Sequence, residues 1–240
     1  MSARLLDLFC GAGGAGMGYS RAGFDVVGVD NHSGRLERYP FRSVNADALV
    51  FLAEHGHRFD AIHASPPCQG YSRGTAALPD RLDRYDRLIA ATRDLLEQTG
   101  RPWILENVED AKPELHNPTL LCGRMFGLEA IDDDGTLLVL DRHRLFETSA
   151  DLALLVPPHM PHDRRLQVAG VYGGARRDKV EARKIRKGGY VPPSLDVLRT
   201  LIGAPWMSET GCFLSIPPAF TEHIGAQILE HLRATQEMAS

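Results

Sequence analysis

The 240-residue chain predicts an α/β fold built on a mostly parallel sheet. Three observations predict it. Strand-like apolar runs alternate with helix-like segments as far as residue 106. A glycine-rich loop follows the first of these runs. The residues best suited to chemistry stand at the ends of the predicted strands, where open α/β sheets hold their ligands.

Residues 3–9 (ARLLDLF) read as a buried strand, followed by the loop CGAGGAG and a helix from about 17 to 22. A second strand, 24–29, ends at Asp30. A short strand at 43–47 precedes a helix at 48–56, and a strand at 59–64 runs straight into SPPCQ. Residues 83–99 carry helical periodicity, with Leu88, Ile89, Leu95 and Leu96 near one face. A short strand at 102–105 then ends at Glu106, and 137–148 reads as a strand or hairpin. Residues 149–193, rich in Pro, Gly, His and Arg, form an inserted, loop-rich segment closed by Pro192 and Pro193. Ser194 is placed to cap a helix over 195–202, and a last helix covers about 219–233. The expected organisation is therefore one main domain, 1–148 and 194–240, interrupted by a small region at 149–193.

At 43% hydrophobic and 24% charged, the composition is that of an ordinary soluble globular protein. No apolar run has the length of a membrane span, and the N-terminus has no signal-peptide pattern, so a cytoplasmic setting and no membrane partner are expected. Four scattered cysteines without CxxC spacing argue against a disulfide scaffold or a zinc ribbon. The HMPH stretch supplies His159 and His162, which with Cys122 or Cys212 could suggest zinc, but only one close pair exists, so no metal is expected. His143 reads as a strand residue. Net charge is −4, yet residues 163–187 carry +6, with Arg176, Arg177, Lys184 and Lys187 among nine basic residues. Such a block is either a footprint for a polyanion or a solvated, salt-bridged face.

Gly11 to Gly16 satisfies G-x-G-x-x-G after a strand, and Asp30 ends the next strand. Together they suit the ribose of NAD, FAD or S-adenosylmethionine. In SPPCQGYS, Pro66 and Pro67 stiffen the backbone before Cys68. The cysteine is either an inert turn thiol or a nucleophile held at a set angle. Glu106-Asn107-Val108 ends the neighbouring strand, where a buried carboxylate can keep a proton. Arg142 and Arg144 alternate around His143, which would put both on one strand face. Such a pair can hold a phosphate, orient Glu106, or lower the pKa of Cys68. A thiolate, a proton donor and a methyl-donor pocket on one sheet edge suit methylation at C5 of a flipped cytosine.

The ordered set DLFCGAGG, VVGVD, NAD, SPPCQGYS, ENV, RHR and IPPAFTEHIGAQI resembles the cytosine-5 DNA methyltransferases over nearly the whole chain except 149–193. The compact size is similar to that of phage and prophage members, linked to restriction-modification and DNA methylation. The resemblance implies a doubly wound, Rossmann-like sheet with a small target-recognition region, S-adenosylmethionine as cofactor and double-stranded DNA as partner. It implies Cys68 as nucleophile, Glu106 on the cytosine, and Arg142 and Arg144 in support. Phe9, Cys10, Gly11, Gly14, Asp30, Asp47 and Pro67 would line the cofactor site. Gln69 and Ser72 would touch DNA or close the catalytic loop, and the basic block would hold phosphates or read sequence. In two places the chain departs from the family pattern. Leu140 replaces a glutamine before the arginines, and Ala226 in Gly225-Ala226-Gln227 replaces an asparagine near the cofactor. A tRNA or RNA cytosine-5 methyltransferase, and transfer of a modified group, stay open. A non-catalytic relative and an NAD oxidoreductase leave more of these motifs unexplained.

Overall fold

A computed structural model describes residues 2–71, 86–171 and 193–238. Its centre is a seven-stranded sheet in the order β3-β2-β1-β4-β5-β9-β6. The strands are β1 (Arg4–Leu8), β2 (Asp25–Asp30), β3 (Arg42–Asn45), β4 (Ala61–Ala64), β5 (Trp103–Asn107), β6 (Thr119–Leu121) and β9 (Arg144–Thr148). From β3 to β5 every pairing is parallel, and β9 is antiparallel to both β5 and β6. The mostly parallel sheet expected from the alternation is therefore present.

Helices cover both faces, because both faces of these strands are apolar. Leu6, Leu8, Val27, Val29, Ile62 and Leu105 pack on one side beneath α3 (Ala48–His55) and α4 (Ile89–Gln98). Leu5, Val26, Ala61, Ile104 and Phe146 pack on the other, beneath α1 (Gly14–Ala22) and α7 (Pro218–Met238). A short helix, α2 (Ser33–Leu36), lies between β2 and β3. In α4 the buried face includes Arg93, which the apolar pattern does not anticipate. Its guanidinium reaches Glu147 on β9 at 2.5 and 2.7 Å, and that pairing offsets the cost of burial.

A smaller sheet, in the order β10-β8-β7, is built from β7 (Glu129–Ile131), β8 (Leu137–Val139) and β10 (Gln167–Val168). Together with α5 (Leu195–Ile202) and α6 (Glu209–Leu214) it encloses a third apolar cluster around Leu138, Leu140, Leu198, Leu201 and Met207. Packing therefore does not change at residue 149. β8, inside the expected main segment, pairs with β10, inside the expected insertion. The reading of 137–148 as a strand or hairpin is corrected likewise: it holds two strands that do not pair, β8 in the small sheet and β9 in the large one. Ser194 does sit at the N-cap of α5, but its hydroxyl bonds Asp133 at 3.1 Å instead of the helix backbone.

Candidate active site

β4 delivers the chain to Ser65, whose N–H donates to the Leu8 carbonyl at 3.2 Å. Pro66 and Pro67 carry it off the sheet, and Cys68–Gly70 form one 3-10 turn. The turn is closed by the Tyr71 N–H on the Cys68 carbonyl at 3.0 Å. From the adjacent strand, the buried Asn107 side chain donates to the Pro66 carbonyl at 3.0 Å, and its own carbonyl accepts the Val108 N–H. The ENV stretch thus pins the SPPC loop. Asn107 has no role in the sequence reading, because its partner is a backbone atom visible only once β4 and β5 are neighbours.

Glu106 is 5% exposed on β5, and the Arg144 Nε lies 3.0 Å from its Oε1. Burial pushes the Glu106 carboxyl up to about 7, against the opposing pull of Arg144 and Arg142. Among the described residues Oε1 has no hydrogen-bond partner, so the arginine contact is Coulombic and not an aligned hydrogen bond. The half-buried Cys68 thiol is also pushed up. Burial outweighs the fields of Arg144 and Arg142 there, which corrects the expectation that the arginines lower its pKa. Near neutral pH the site holds a thiol beside a carboxyl poised between its two forms.

The two arginines do not share a strand face. β9 begins at Arg144, and residues 141–143 lie outside any strand. Arg142 turns toward the small unit. Its guanidinium donates to the carbonyls of Ser215 at 3.0 and 2.7 Å, Phe213 at 2.7 Å and Val171 at 2.9 Å. It is chiefly a backbone anchor whose field reaches the site. Leu140, where the resemblance expects glutamine, is 1% exposed within the third apolar cluster.

On the cofactor side, Phe9 (φ 57°) and Gly11 (φ 53°) turn the chain sharply after β1. The Asp30 carboxylate accepts the Gly11 N–H at 3.0 Å and the His32 N–H at 2.9 Å. Each oxygen keeps a further lone pair for a ligand hydroxyl. A Cβ on Gly11 would meet nothing within 4 Å, so open space adjoins that carboxylate. These features fit the adenosine portion of S-adenosylmethionine. Gly14 differs: a Cβ there would lie 1.9 Å from Ser215 Oγ and 2.4 Å from the Ile216 carbonyl, so it serves close packing. Cys10 is buried, its N–H on the Val29 carbonyl at 3.1 Å. Asp47 caps α3, its Oδ1 accepting the N–H groups of Leu49 and Val50. The sequence reading also passes over Tyr39, whose hydroxyl donates to the buried Asp7 at 2.9 Å.

Pro67 is exposed beside Cys68. Gln69 keeps a buried Oε1 without a partner among the described residues, as suits a side chain awaiting a ligand. Ser72, Arg176, Arg177, Lys184 and Lys187 lie outside the described residues. Two readings are corrected. Ser215 and Ile216 pack over the start of α1, whereas a Cβ on Gly225 would meet Ala22 and Tyr19 at its far end. Ala226 is therefore remote from the glycine loop and does not bear on the methyl donor. Second, His159 and His162 are not an isolated pair, because the fold brings Cys122 and His143 to them.

Comparison with known proteins agrees with this geometry. Residues 3–121, about half of the chain, match the family model for C-5 cytosine-specific DNA methylase. The type II methyltransferase M.XorII of Xanthomonas oryzae is 29% identical over 175 residues, 67% of this chain and 38% of its own length. M.FnuDI of Fusobacterium nucleatum is 31% identical over 74 residues, 29% of this chain and 22% of its own. The chain thus spans well under two thirds of these relatives. A DNA modification methyltransferase encoded within an E. coli prophage shares the fold at TM-score 0.60 and 17% identity, covering 97% of this chain and 100% of that one. S. pombe Dnmt2 methyltransferase does so at TM-score 0.56 and 12% identity, covering 97% and 99%. With the SPPC loop, the ENV strand end and the glycine loop assembled on one edge, and with the family model matching that same stretch, this chain belongs to the C-5 cytosine-specific DNA methylase family.

Proposed function

We propose that the chain transfers a methyl group from S-adenosylmethionine to C5 of a cytosine flipped out of double-stranded DNA. The observation that carries the proposal is Glu106, a carboxyl held near pKa 7 on the strand beside the Cys68 loop. A carboxyl in that state can protonate N3 of cytosine as the Cys68 sulfur adds at C6. Addition makes C5 electron-rich. S-adenosylmethionine, when bound, supplies an electrophilic methyl on its sulfonium. Loss of the C5 proton to water, expulsion of the Cys68 sulfur as thiolate and return of the N3 proton to the Glu106 carboxylate restore the ring and the enzyme. Asn107 holds the loop that carries the thiol, and Arg144 stabilises the carboxylate once Glu106 has given up its proton.

Phe9, Gly11 and Asp30 would receive the adenosine, with Cys10 and Pro67 alongside. The adenine role of Asp47 would add to its capping of α3. Gln69 and Ser72 would meet DNA, and the region 149–193 with its basic block would recognise the target, phosphate contacts supplying salt-dependent affinity. The names of the relatives and of the prophage neighbour support a role in DNA methylation, restriction-modification or phage DNA modification in a bacterial cytoplasm. Among the described residues no helix is long and apolar enough to cross a membrane.

The test is transfer of labelled methyl to duplex DNA and, in parallel, to tRNA, with mass spectrometry of the product nucleoside. DNA containing 5-fluorocytosine should trap the wild type covalently through Cys68, and Cys68→Ala should neither transfer nor trap. Methylation confined to tRNA, or full activity in Cys68→Ala, would overturn the proposal.

A further inference from the structure

Four side chains from three separate segments converge just outside the catalytic edge. Cys122 follows β6, His143 precedes β9, and His159 and His162 come from the irregular chain after β9. Because Leu121 pairs with Arg144, Cys122 and His143 fall opposite each other one step beyond the ladder. The four ligand atoms all lie within 4.8 Å of one another. His162 Nε2 is 3.3 Å from Cys122 Sγ, 3.4 Å from His143 Nε2 and 3.1 Å from His159 Nε2.

The outer partners decide which ring nitrogens carry protons. His143 Nδ1 lies 2.8 Å from a Glu109 carboxylate oxygen, and His162 Nδ1 lies 3.1 Å from an Asp141 carboxylate oxygen. The Glu109 carboxylate accepts from His143 Nδ1, so that neutral ring presents its Nε2 lone pair inward, and the Asp141 charge beside His162 Nδ1 favours the same tautomer there without an aligned hydrogen bond. Two lone pairs then face each other at 3.4 Å with no hydrogen between them. A cation at the centre turns that repulsion into coordination. Carboxylate behind imidazole is also how metal-binding histidines are ordinarily oriented. Asp141 is in turn held by Arg124.

We propose that Cys122, His143, His159 and His162 form a tetrahedral zinc site. Zinc held at ordinary bond lengths puts nitrogen ligands about 3.4 Å apart, and sulfur about 3.6 Å from nitrogen. The three spacings from His162 Nε2 match to within a few tenths of an ångström, and the other ligand pairs lie within 4.8 Å, so binding has only to draw the remaining atoms inward. One thiolate and three imidazoles suit zinc and not magnesium or calcium. Four protein ligands leave no open position, so the site is structural, and the Cys122 thiol proton leaves on binding. The metal would fasten residues 159–162 to the ends of β6 and β9, one residue from Arg144. The site stands independently of the methyl-transfer reading.

Protein purified without chelator should hold one zinc per chain by mass spectrometric metal analysis. Exchange for cobalt(II) should give a tetrahedral spectrum with a thiolate charge-transfer band, absent in Cys122→Ser. His159 is exposed, so His159→Ala should leave the circular dichroism unchanged while zinc affinity falls about 100-fold or more, and Glu109→Gln should lower it about tenfold. These readouts require no catalysis. Metal-free protein with no cobalt charge-transfer band, or zinc affinity unchanged in His159→Ala, overturns the proposal. If Cys122→Ser fails to fold, His159→Ala and His162→Ala decide it.

Discussion

The Asn107 side-chain amide donates to the Pro66 carbonyl at 3.0 Å, joining the end of one strand to the loop that leaves its neighbour. The bond is buried, so its loss strands the Pro66 carbonyl as well. Asn107→Ala is expected to cost about 1–3 kcal/mol of stability. It should also lower the single-turnover rate by one to two orders of magnitude through misplacement of Cys68. Binding of S-adenosylmethionine, measured by calorimetry, should change little. A variant that loses cofactor affinity while keeping its rate would contradict this division.

The pH profile follows from two raised groups. Reaction needs Glu106 protonated and Cys68 ionised. Below the Glu106 value of about 7, kcat/KM should rise with pH as thiolate forms. Between about 7 and the higher thiol value the two requirements cancel and the profile should be flat, falling beyond. In Glu106→Gln the plateau should vanish: the lower residual rate, down about 100-fold or more, rises up to the thiol value.

Stability should move the other way in the same variant. The folded Glu106 carboxyl titrates near 7 against an ordinary 4.5. Its protonated form therefore supports the fold fully below the ordinary value, and that support is lost as pH rises through 7. Urea unfolding of wild type and Glu106→Gln should show the gap shifting by about 3 kcal/mol in favour of the variant from pH 4 to pH 8.

Arg142 and Arg144 should separate cleanly. Arg142→Ala leaves the carbonyls of Ser215, Phe213 and Val171 without their charged donor, so about 3 kcal/mol or more of stability is expected to go. Arg144→Gln should be milder in denaturant, because Glu106 can take up a proton. It should also raise the lower edge of the pH plateau, since Arg144 holds the Glu106 value down. An unmoved edge would argue against the ion pair.

The glycines of the loop should differ as well. Gly11→Ala fills open space at positive φ, costing about 1–2 kcal/mol of strain and weakening cofactor binding. Gly14→Ala drives a methyl into Ser215 and Ile216, so its melting temperature should drop well below that of Gly11→Ala.

Much of the large sheet was legible, because its strands are short apolar runs bounded by turn residues and its site residues stand where those runs stop. Cys68, Glu106 and Arg144 are readable from local pattern. Arg142 was misread because alternation around His143 suggested a strand, whereas the chain there is held by carbonyls distant in sequence. The small sheet escaped notice because β7, β8 and β10 are two or three residues long, and β10 joins β8 from far along the chain, Gln167 pairing with Leu138. The Cys122–His143 approach was invisible for a similar reason. It exists only because β6 and β9 are antiparallel partners. Asp47 looked like a ligand residue and is first a helix cap.

β9 runs against its neighbours, and this polarity has a mechanical result. Cys68 and Glu106 reach the edge on chain that has just crossed the sheet and is anchored behind. Arg144 reaches it on chain just arriving from the small unit, two residues beyond an arginine locked to that unit's backbone. The Glu106–Arg144 contact therefore lies inside the large sheet, two residues past the anchor, so a pull on the small unit reaches the reacting carboxyl along a single short stretch of chain.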